Sequence, residues 1–340
     1  MFSYELQCIE ISTTESSVQF RLISGSDSLI KETYVPDRYG RIMLYDLNEL
    51  IDAAIGNAPS AVFAIALGSN IVSTFTVLRC SVAMDTTATQ FVQKHFLTSG
   101  SEMRTTAPGR YELLNFFEPN EVKAPVTVTR TLRALSYKRE IYTSTLTLLA
   151  ADDYEAGTIV TVDVSPDYLF ELDGLADYEL LEYTVSCGAR SQRYRVTAPA
   201  PADPSVVFRN RFNVWDTYHF AGTKESDPQF DRSQMWINGQ FITYRTQEVM
   251  QYKAMTHPVP LGLECYIEDL ARSPEIHRLD DTGATRELLT VLDCDLKATN
   301  DDDALNVFTV TYRIADKISA KSFAGTQARI FDNTFDNSYE

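Results

Sequence analysis

A chain of 340 residues is long for one ordinary domain, and its 44% hydrophobic and 23% charged content is that of a folded protein. These values exclude a mostly disordered chain or a collagen-like fibre. The 47 acidic residues outweigh the 30 basic ones, for a formal charge of −17. That sign excludes binding nucleic acid or an anionic membrane surface through a general electrostatic field, because both need Lys and Arg. The start, Met1-Phe2-Ser3-Tyr4, lacks the basic and apolar regions of a secretory leader. No apolar run approaches the ~20 residues that cross a bilayer, so membrane insertion is not expected.

Taken in chain order, the dominant pattern has period two. Val18, Phe20 and Leu22 share one strand face. The turn residues Ser24-Gly25-Ser26-Asp27 and Pro36-Asp37-Arg38-Tyr39-Gly40 follow. Asp46–Ile55 predicts a helix: Asp46 stands as N-cap with Glu49 three later, Leu47, Leu50, Ile51, Ala54 and Ile55 repeat with helical spacing, and Gly56 supplies the stop. A strand over Ile71–Val82 precedes a boundary near Ala83, and Thr89–Leu97 predicts a second helix. Strands are expected over Ala124–Leu135, Thr143–Leu149, Thr158–Val164, Glu179–Cys187 and Gln192–Thr197. Thr197–Ser205 holds three prolines among small residues and predicts an extended linker. Leu263–Ala271 predicts a third helix, ended by Ser273-Pro274. Strands Leu288–Leu296 and Leu305–Ile314 flank a polar loop, Ala298–Ala304. The whole is mainly β: several linked sandwich- or barrel-like domains with a few short helices, over 1–84, 85–198 and 205–314. A C-terminal arm, 315–340, carries Phe331, Phe335 and Tyr339 at every fourth position, a spacing that predicts packing on its own body or on a neighbouring subunit.

Catalytic and metal chemistry find little footing. Cys8, Cys80, Cys187, Cys265 and Cys294 are scattered, with no C-x-x-C, and are expected to be buried thiols acting as small hydrophobes. His95, His219, His257 and His277 show no i, i+4 pairing, and no metal site is expected. Asp293, Asp295, Asp301, Asp302 and Asp303 do not fit a calcium loop, since Lys297 occupies a ligand position. There is no G-x-S-x-G and no phosphate-cradling glycine loop; a triad could assemble only in space, from His219 or His257. The expectation is a chain that is not an enzyme and carries no cofactor.

Aromatic residues crowd one segment, Phe208-Arg209-Asn210-Arg211-Phe212-Asn213-Val214-Trp215-Asp216-Thr217-Tyr218-His219-Phe220-Ala221-Gly222. Asn210 and Asn213 can close a turn through their side chains. Val214, Asp216 and Tyr218 then face one way, and Trp215, Thr217 and His219 the other. Phe208, Asn210, Phe212, Trp215 and Tyr218 are therefore expected to open the third domain and fix its angle rather than to bind a ligand. The segment resembles a pattern of tail and virion-associated proteins of phages and prophages of Bacteroidetes. Two further stretches resemble the same group: Tyr34–Leu47, with its Pro-Asp-x-x-Gly and Asp-Leu, and Leu263–Pro274, with Glu268-Asp269-Leu270. Asn213 departs from the pattern, where Gly is common. The resemblance implies a non-catalytic tail component of the baseplate, tail tip or neck region, made in the bacterial host cytoplasm and located in the virion. Its partners would be copies of itself and other tail proteins. The alternative is an adhesion module that binds a receptor or host-surface glycan.

Overall fold

The computed structural model describes residues 1–99, 103–171, 177–198, 205–259, 264–279, 286–297, 299 and 306–315. Strands β1 (Cys8–Ser12), β2 (Val18–Ser24), β3 (Asp27–Tyr34) and β4 (Arg41–Tyr45) are followed by α1 (Leu47–Ile55), β5 (Ser60–Leu67) and β6 (Asn70–Leu78). β1 and β4 form a two-stranded sheet, and β3-β2-β5-β6 a four-stranded one. The alternation read in β2 buries Val18, Phe20 and Leu22 beside Ile42, Leu44 and Phe63. Leu47, Ile51 and Ile55 bring α1 into the same core. Asp46 does not cap α1. It adopts φ 59 with no side-chain cap bond, because its N–H still donates to Gln7 O at 3.0 Å as the β1–β4 ladder ends. The left-handed turn, which Asp tolerates, carries the chain directly from strand to helix.

The middle stretch contains α2 (Ala88–Lys94), β7 (Met103–Thr106), β8 (Leu113–Phe117), β9 (Val126–Ala134), β10 (Ile141–Leu149), β11 (Ile159–Asp163), α3 (Pro166–Glu171), β12 (Tyr178–Cys187) and β13 (Arg190–Val196). A five-stranded sheet, β10-β9-β12-β13-β7, pairs its strands antiparallel except for parallel β13–β7. β11 and β8 form a second, two-stranded sheet. Val126, Val128, Tyr183, Val185 and Tyr194 of the first sheet pack with Leu114 and Phe116 of the second, so this stretch is a sandwich. α2 starts one residue before the expected helix and ends before His95, with the Thr87 hydroxyl accepting from Gln90 N. α3 was not expected; six residues are too few to show a helical period.

β14 (Ser205–Arg209), β15 (Trp215–His219), β16 (Lys224–Ile237), β17 (Gln240–Met255), α4 (Glu264–Arg272), β18 (Ile276–Leu279), β19 (Arg286–Asp295) and β20 (Thr309–Ile314) complete the described chain. All the strands join one sheet, in the order β15-β14-β18-β19-β20-β17-β16. Val206, Phe208, Val310 and Tyr312 face α4 through Tyr266 and Leu270. On the opposite side Val207 and Leu279 meet Leu113 and Tyr111 of the middle stretch. β14 is thus buried on both faces, and its sequence, Val206-Val207-Phe208, is continuously apolar. β19 and β20 pair as expected, although β20 begins at Thr309 rather than Leu305. Of the expected loop between them, and of the linker over 197–205, most residues lie outside the described ones.

Among the described residues no sheet takes strands from more than one of these stretches, yet the cores do merge. Phe2, Leu78 and Cys80 from the first, Phe91, Val92 and Phe117 from the second, and Phe212 and Val214 from the third form one buried cluster. Phe212 lies with its ring centroid 5.7 Å from that of Phe2 and 5.2 Å from that of Phe91. Burying such a ring contributes roughly 1.5–3 kcal/mol. Glu5 adds a polar tie, accepting from the N–H of Ala88 at the start of α2 at 2.7 Å. The cysteines need correction: Cys80 and Cys187 are buried, but Cys8 and Cys265 are exposed and Cys294 is half-buried. Cys8 falls on the outward face of a two-stranded sheet and Cys265 in the first turn of α4, positions that an apolar neighbourhood in sequence does not reveal.

Candidate functional site

The segment Phe208–Gly222 sits where the three stretches meet. Phe212 N donates to Asn210 Oδ1 at 3.0 Å, and Asn213 N to Asn210 O at 2.8 Å, closing a tight turn between β14 and β15. Asn213 holds φ 56, a left-handed conformation that asparagine tolerates better than most residues. Its side-chain amide donates to Asn57 O at 2.6 Å, which ties the turn to the first stretch. The turn also projects Phe212 into the shared cluster. Phe208 and Tyr218 pack against α4, while Trp215 faces the middle stretch and lies under the Arg209 guanidinium, 3.7 Å from ring centroid to Cζ.

Asp216 is the centre of the junction, at 1% exposure. Its Oδ1 accepts from Arg104 Nη1 at 3.0 Å and from the Tyr266 hydroxyl at 2.9 Å. Its Oδ2 accepts from Thr98 Oγ1 at 2.8 Å, Arg104 Nη2 at 3.2 Å and Asn210 Nδ2 at 3.2 Å. Arg104 and Thr98 belong to the middle stretch; Asn210 and Tyr266 belong to the third. Arg104 also stacks over the Tyr266 ring, 4.6 Å from its centroid. Burial, reinforced by Asp216 and Glu112 against the opposing pull of Arg104, keeps the Tyr266 hydroxyl protonated far above the usual tyrosine range, so it acts as donor.

Further buried ion pairs surround this centre. Arg211 Nε donates to Asp269 of α4 at 2.9 Å, and the same carboxylate accepts from Ser99 at 2.6 Å. Arg190 pairs with Glu118 at 3.0 Å and donates to the carbonyls of Val92 and Phe117. Asp269 and its partner Arg211 are 58 residues apart, so their pairing leaves no local pattern in the sequence.

A cavity of about 450 Å³ opens between the middle and third stretches. Arg104, Thr106, Glu112, Tyr218, His219 and Tyr266 are in its wall. Glu112 Oε1 lies 2.8 Å from His219 Nε2, and Ser205 Oγ lies 2.9 Å from His219 Nδ1. Hydroxyl, imidazole and carboxylate in line are the parts of a hydrolytic triad. Here, however, Ser205 is 6% exposed and its oxygen also takes a hydrogen bond from Arg110. The line joins the loop before β8 to β14 and β15 through hydrogen bonds. Burial disfavours ionisation of Glu112, but His219, Arg104 and the Thr217 hydroxyl outweigh it and hold the carboxyl below its ordinary value. His257 also lines the cavity.

A second feature had no place in the sequence reading. β16 and β17 form a long antiparallel ribbon, paired from Lys224↔Ala254 to Ile237↔Gln240. β17 pairs with β20 only over Tyr252–Met255, so the ribbon beyond Gln251 projects from the sheet. Its tip turns through Asn238 (φ 49) and Gly239 (φ 81), and Trp236 and Phe241 pack edge to face there, with centroids 4.7 Å apart. Trp236 is 62% and Phe241 71% exposed, and Met235, Ile237, Ile242 and Tyr244 are exposed beside them. By strand alternation Trp236 and Phe241 share one face, and Met235, Ile237 and Ile242 the other. The tip is thus an apolar wedge on both faces. Asn238-Gly239 between apolar runs is a strong hairpin signal, and it was present in the sequence to be read. The expected arm residues Phe331, Phe335 and Tyr339 lie outside the described residues.

No protein-family model matches the chain, and no curated protein matches it. Among solved structures, it is similar to one described as "Structural insight into host cell surface retention of a 1.5-MDa bacterial ice-binding adhesin". The identity is 11%, the TM-score 0.14, and the match covers 74% of this chain and 85% of that one. At that score the likeness carries no argument.

Two outcomes test the junction. Asp216→Ala leaves the Arg104 guanidinium buried without its counter-charge and should cost about 3–5 kcal/mol in denaturant unfolding. Glu112 titrates lower in the folded chain than unfolded, so its contribution is present above about pH 4.5 and is lost as pH falls through the lower folded value. Glu112→Gln should therefore destabilise by about 2 kcal/mol at pH 7, and the gap to the parent should close on acidification below that range.

Proposed function

We propose that this chain is a non-catalytic structural component of a phage tail, in the baseplate, tail tip or neck region, acting by protein–protein assembly. The observation that carries the assembly reading is the ribbon. A two-stranded hairpin is marginal in water, and a wedge of exposed Trp, Phe, Ile and Met side chains leaves apolar surface that a partner would bury. The charges of Lys224–Met255 also suit this role. Lys224, Arg232, Arg245 and Lys253 balance Glu225, Asp227, Asp231 and Glu248, 4 − 4 = 0, in a chain of net charge −17. A neutral ribbon would meet less repulsion from a like-charged copy than a segment with the chain's average charge. The phage setting is supported by the resemblance of Tyr34–Leu47, Phe208–Gly222 and Leu263–Pro274; in that setting the protein would lie in the virion beside copies of itself and other tail proteins.

A second reading, binding of a host-surface glycan, is favoured by one observation, the exposed Trp236 ring, since sugars stack on aromatic faces. The two readings separate on the tip. Trp236→Ser with Phe241→Ser should leave the melting temperature of the isolated chain nearly unchanged and reduce its incorporation into purified particles about tenfold or more. Normal incorporation, joined with lost binding on a glycan array, would favour the glycan reading instead.

A further inference from the structure

A second, smaller cleft lies between the first and third stretches, with a volume of about 180 Å³. Four of the nine described residues in its wall are arginines: Arg79, Arg209, Arg211 and Arg272. Each is set by a regular element. Arg79 follows β6, Arg209 ends β14, Arg211 stands in the turn between β14 and β15, and Arg272 ends α4. Ser81 adds a hydroxyl from the first stretch, and its N–H donates to Arg211 O at 3.0 Å, which ties the two walls together. Four guanidinium groups around one cleft stand out in a chain of net charge −17.

Internal contacts account for two of the four. Arg211 is held by Asp269, and Arg209 stacks on Trp215 with Glu275 at 3.7 Å. Arg272 has Glu268 one turn earlier on α4, an exposed i, i+4 pair of little strength. Arg79 has no carboxylate within ion-pair distance among the described residues; it donates to the Gly56 carbonyl at the end of α1. The one carboxylate among the nine wall residues, Asp269, already accepts from Arg211 and Ser99. The like charges of Arg79 and Arg272 therefore line one space, and an anion entering it would offset their repulsion.

We infer that this cleft binds a phosphate group, with Arg79 and Arg272 as its principal ligands and the Ser81 hydroxyl as a further donor. A guanidinium is planar, always charged, and presents paired N–H groups that match two oxygens of an oxyanion. A carboxylate has its two oxygens in one plane, whereas a phosphate group has three free acceptor oxygens and can be shared by forks from opposite walls. The volume falls below the roughly 300–1,000 Å³ of sites that enclose whole small molecules, so the cleft takes the group and leaves the rest of any larger ligand outside. Arg79 belongs to the first stretch and Arg272 to the third, so a bound phosphate also links those two. The inference is independent of the assembly reading, because neither the ribbon nor its tip contributes to the cleft.

The test is isothermal titration calorimetry of the full chain with inorganic phosphate at about pH 7.5, where phosphate is largely a dianion, and at fixed ionic strength. Glycerol phosphate and acetate serve as parallel titrants. Saturable binding of phosphate at one site per chain is expected, weakened about tenfold or more by Arg79→Gln with Arg272→Gln. Arg41→Gln with Arg133→Gln removes the same charge from exposed pairs elsewhere and should leave the affinity within about twofold. Equal affinity for glycerol phosphate identifies a group carried on a larger molecule, and its rejection identifies the free ion; either upholds the site. No saturable binding to the parent chain, equal weakening in both double variants, or acetate bound as tightly as phosphate would overturn the inference. The parent titration and the acetate comparison need no variant, so the test stands even where a substitution impairs folding.

Discussion

The structure turns on a carboxylate that no single stretch of the chain can satisfy. Asp216 is out of water, and an isolated buried charge costs several kcal/mol unless hydrogen bonds surround it. Its donors come from two sides: Thr98 and Arg104 from the middle stretch, Asn210 and Tyr266 from the third. Either side folded alone would leave a bare charge, Asp216 on one or Arg104 on the other. The two sheets therefore have one docking arrangement in which both charges are answered. Such a pair contributes more to uniqueness than to net stability, since an apolar pair of equal volume could supply the latter.

The same short segment fixes the first stretch. Asn210 both donates to Asp216 and closes the turn that places Phe212 among Phe2, Leu78 and Phe91. Beyond β15 the chain passes through Phe220 and Gly222 and enters the ribbon. A Cβ on Gly222 would lie 2.6 Å from Met255 O and 2.7 Å from Thr256 O, so only glycine lets the two ends of the ribbon close at its root. The junction and the ribbon are thereby mechanically joined. The apolar wedge is held at a root closed by backbone contact.

Strands and their faces were largely legible in the sequence, because burial of one sheet face imposes period two directly on the residues, as in β2 and β20. The turn at Asn210 and Asn213 was legible because its chemistry is local. The charge network was not: Arg104 and Asp216 are 112 residues apart, and nothing near either announces the other. At Asp46 the local capping rule loses to the ladder bond that its N–H makes with Gln7. The ribbon leaves little trace in the sequence beyond its Asn-Gly turn, since its stem mixes Asp, Arg, Gln and Ser with apolar residues and β16 buries neither face. Period two appears only where a face is hidden.

The central claim is that buried charge and the Phe212 cluster make three sheet systems one cooperative body. Differential scanning calorimetry of the full chain at neutral pH tests it most directly. One transition, with calorimetric and van't Hoff enthalpies equal, is expected. Two or three resolved transitions, each with its own enthalpy, would show that the stretches melt independently and would contradict it.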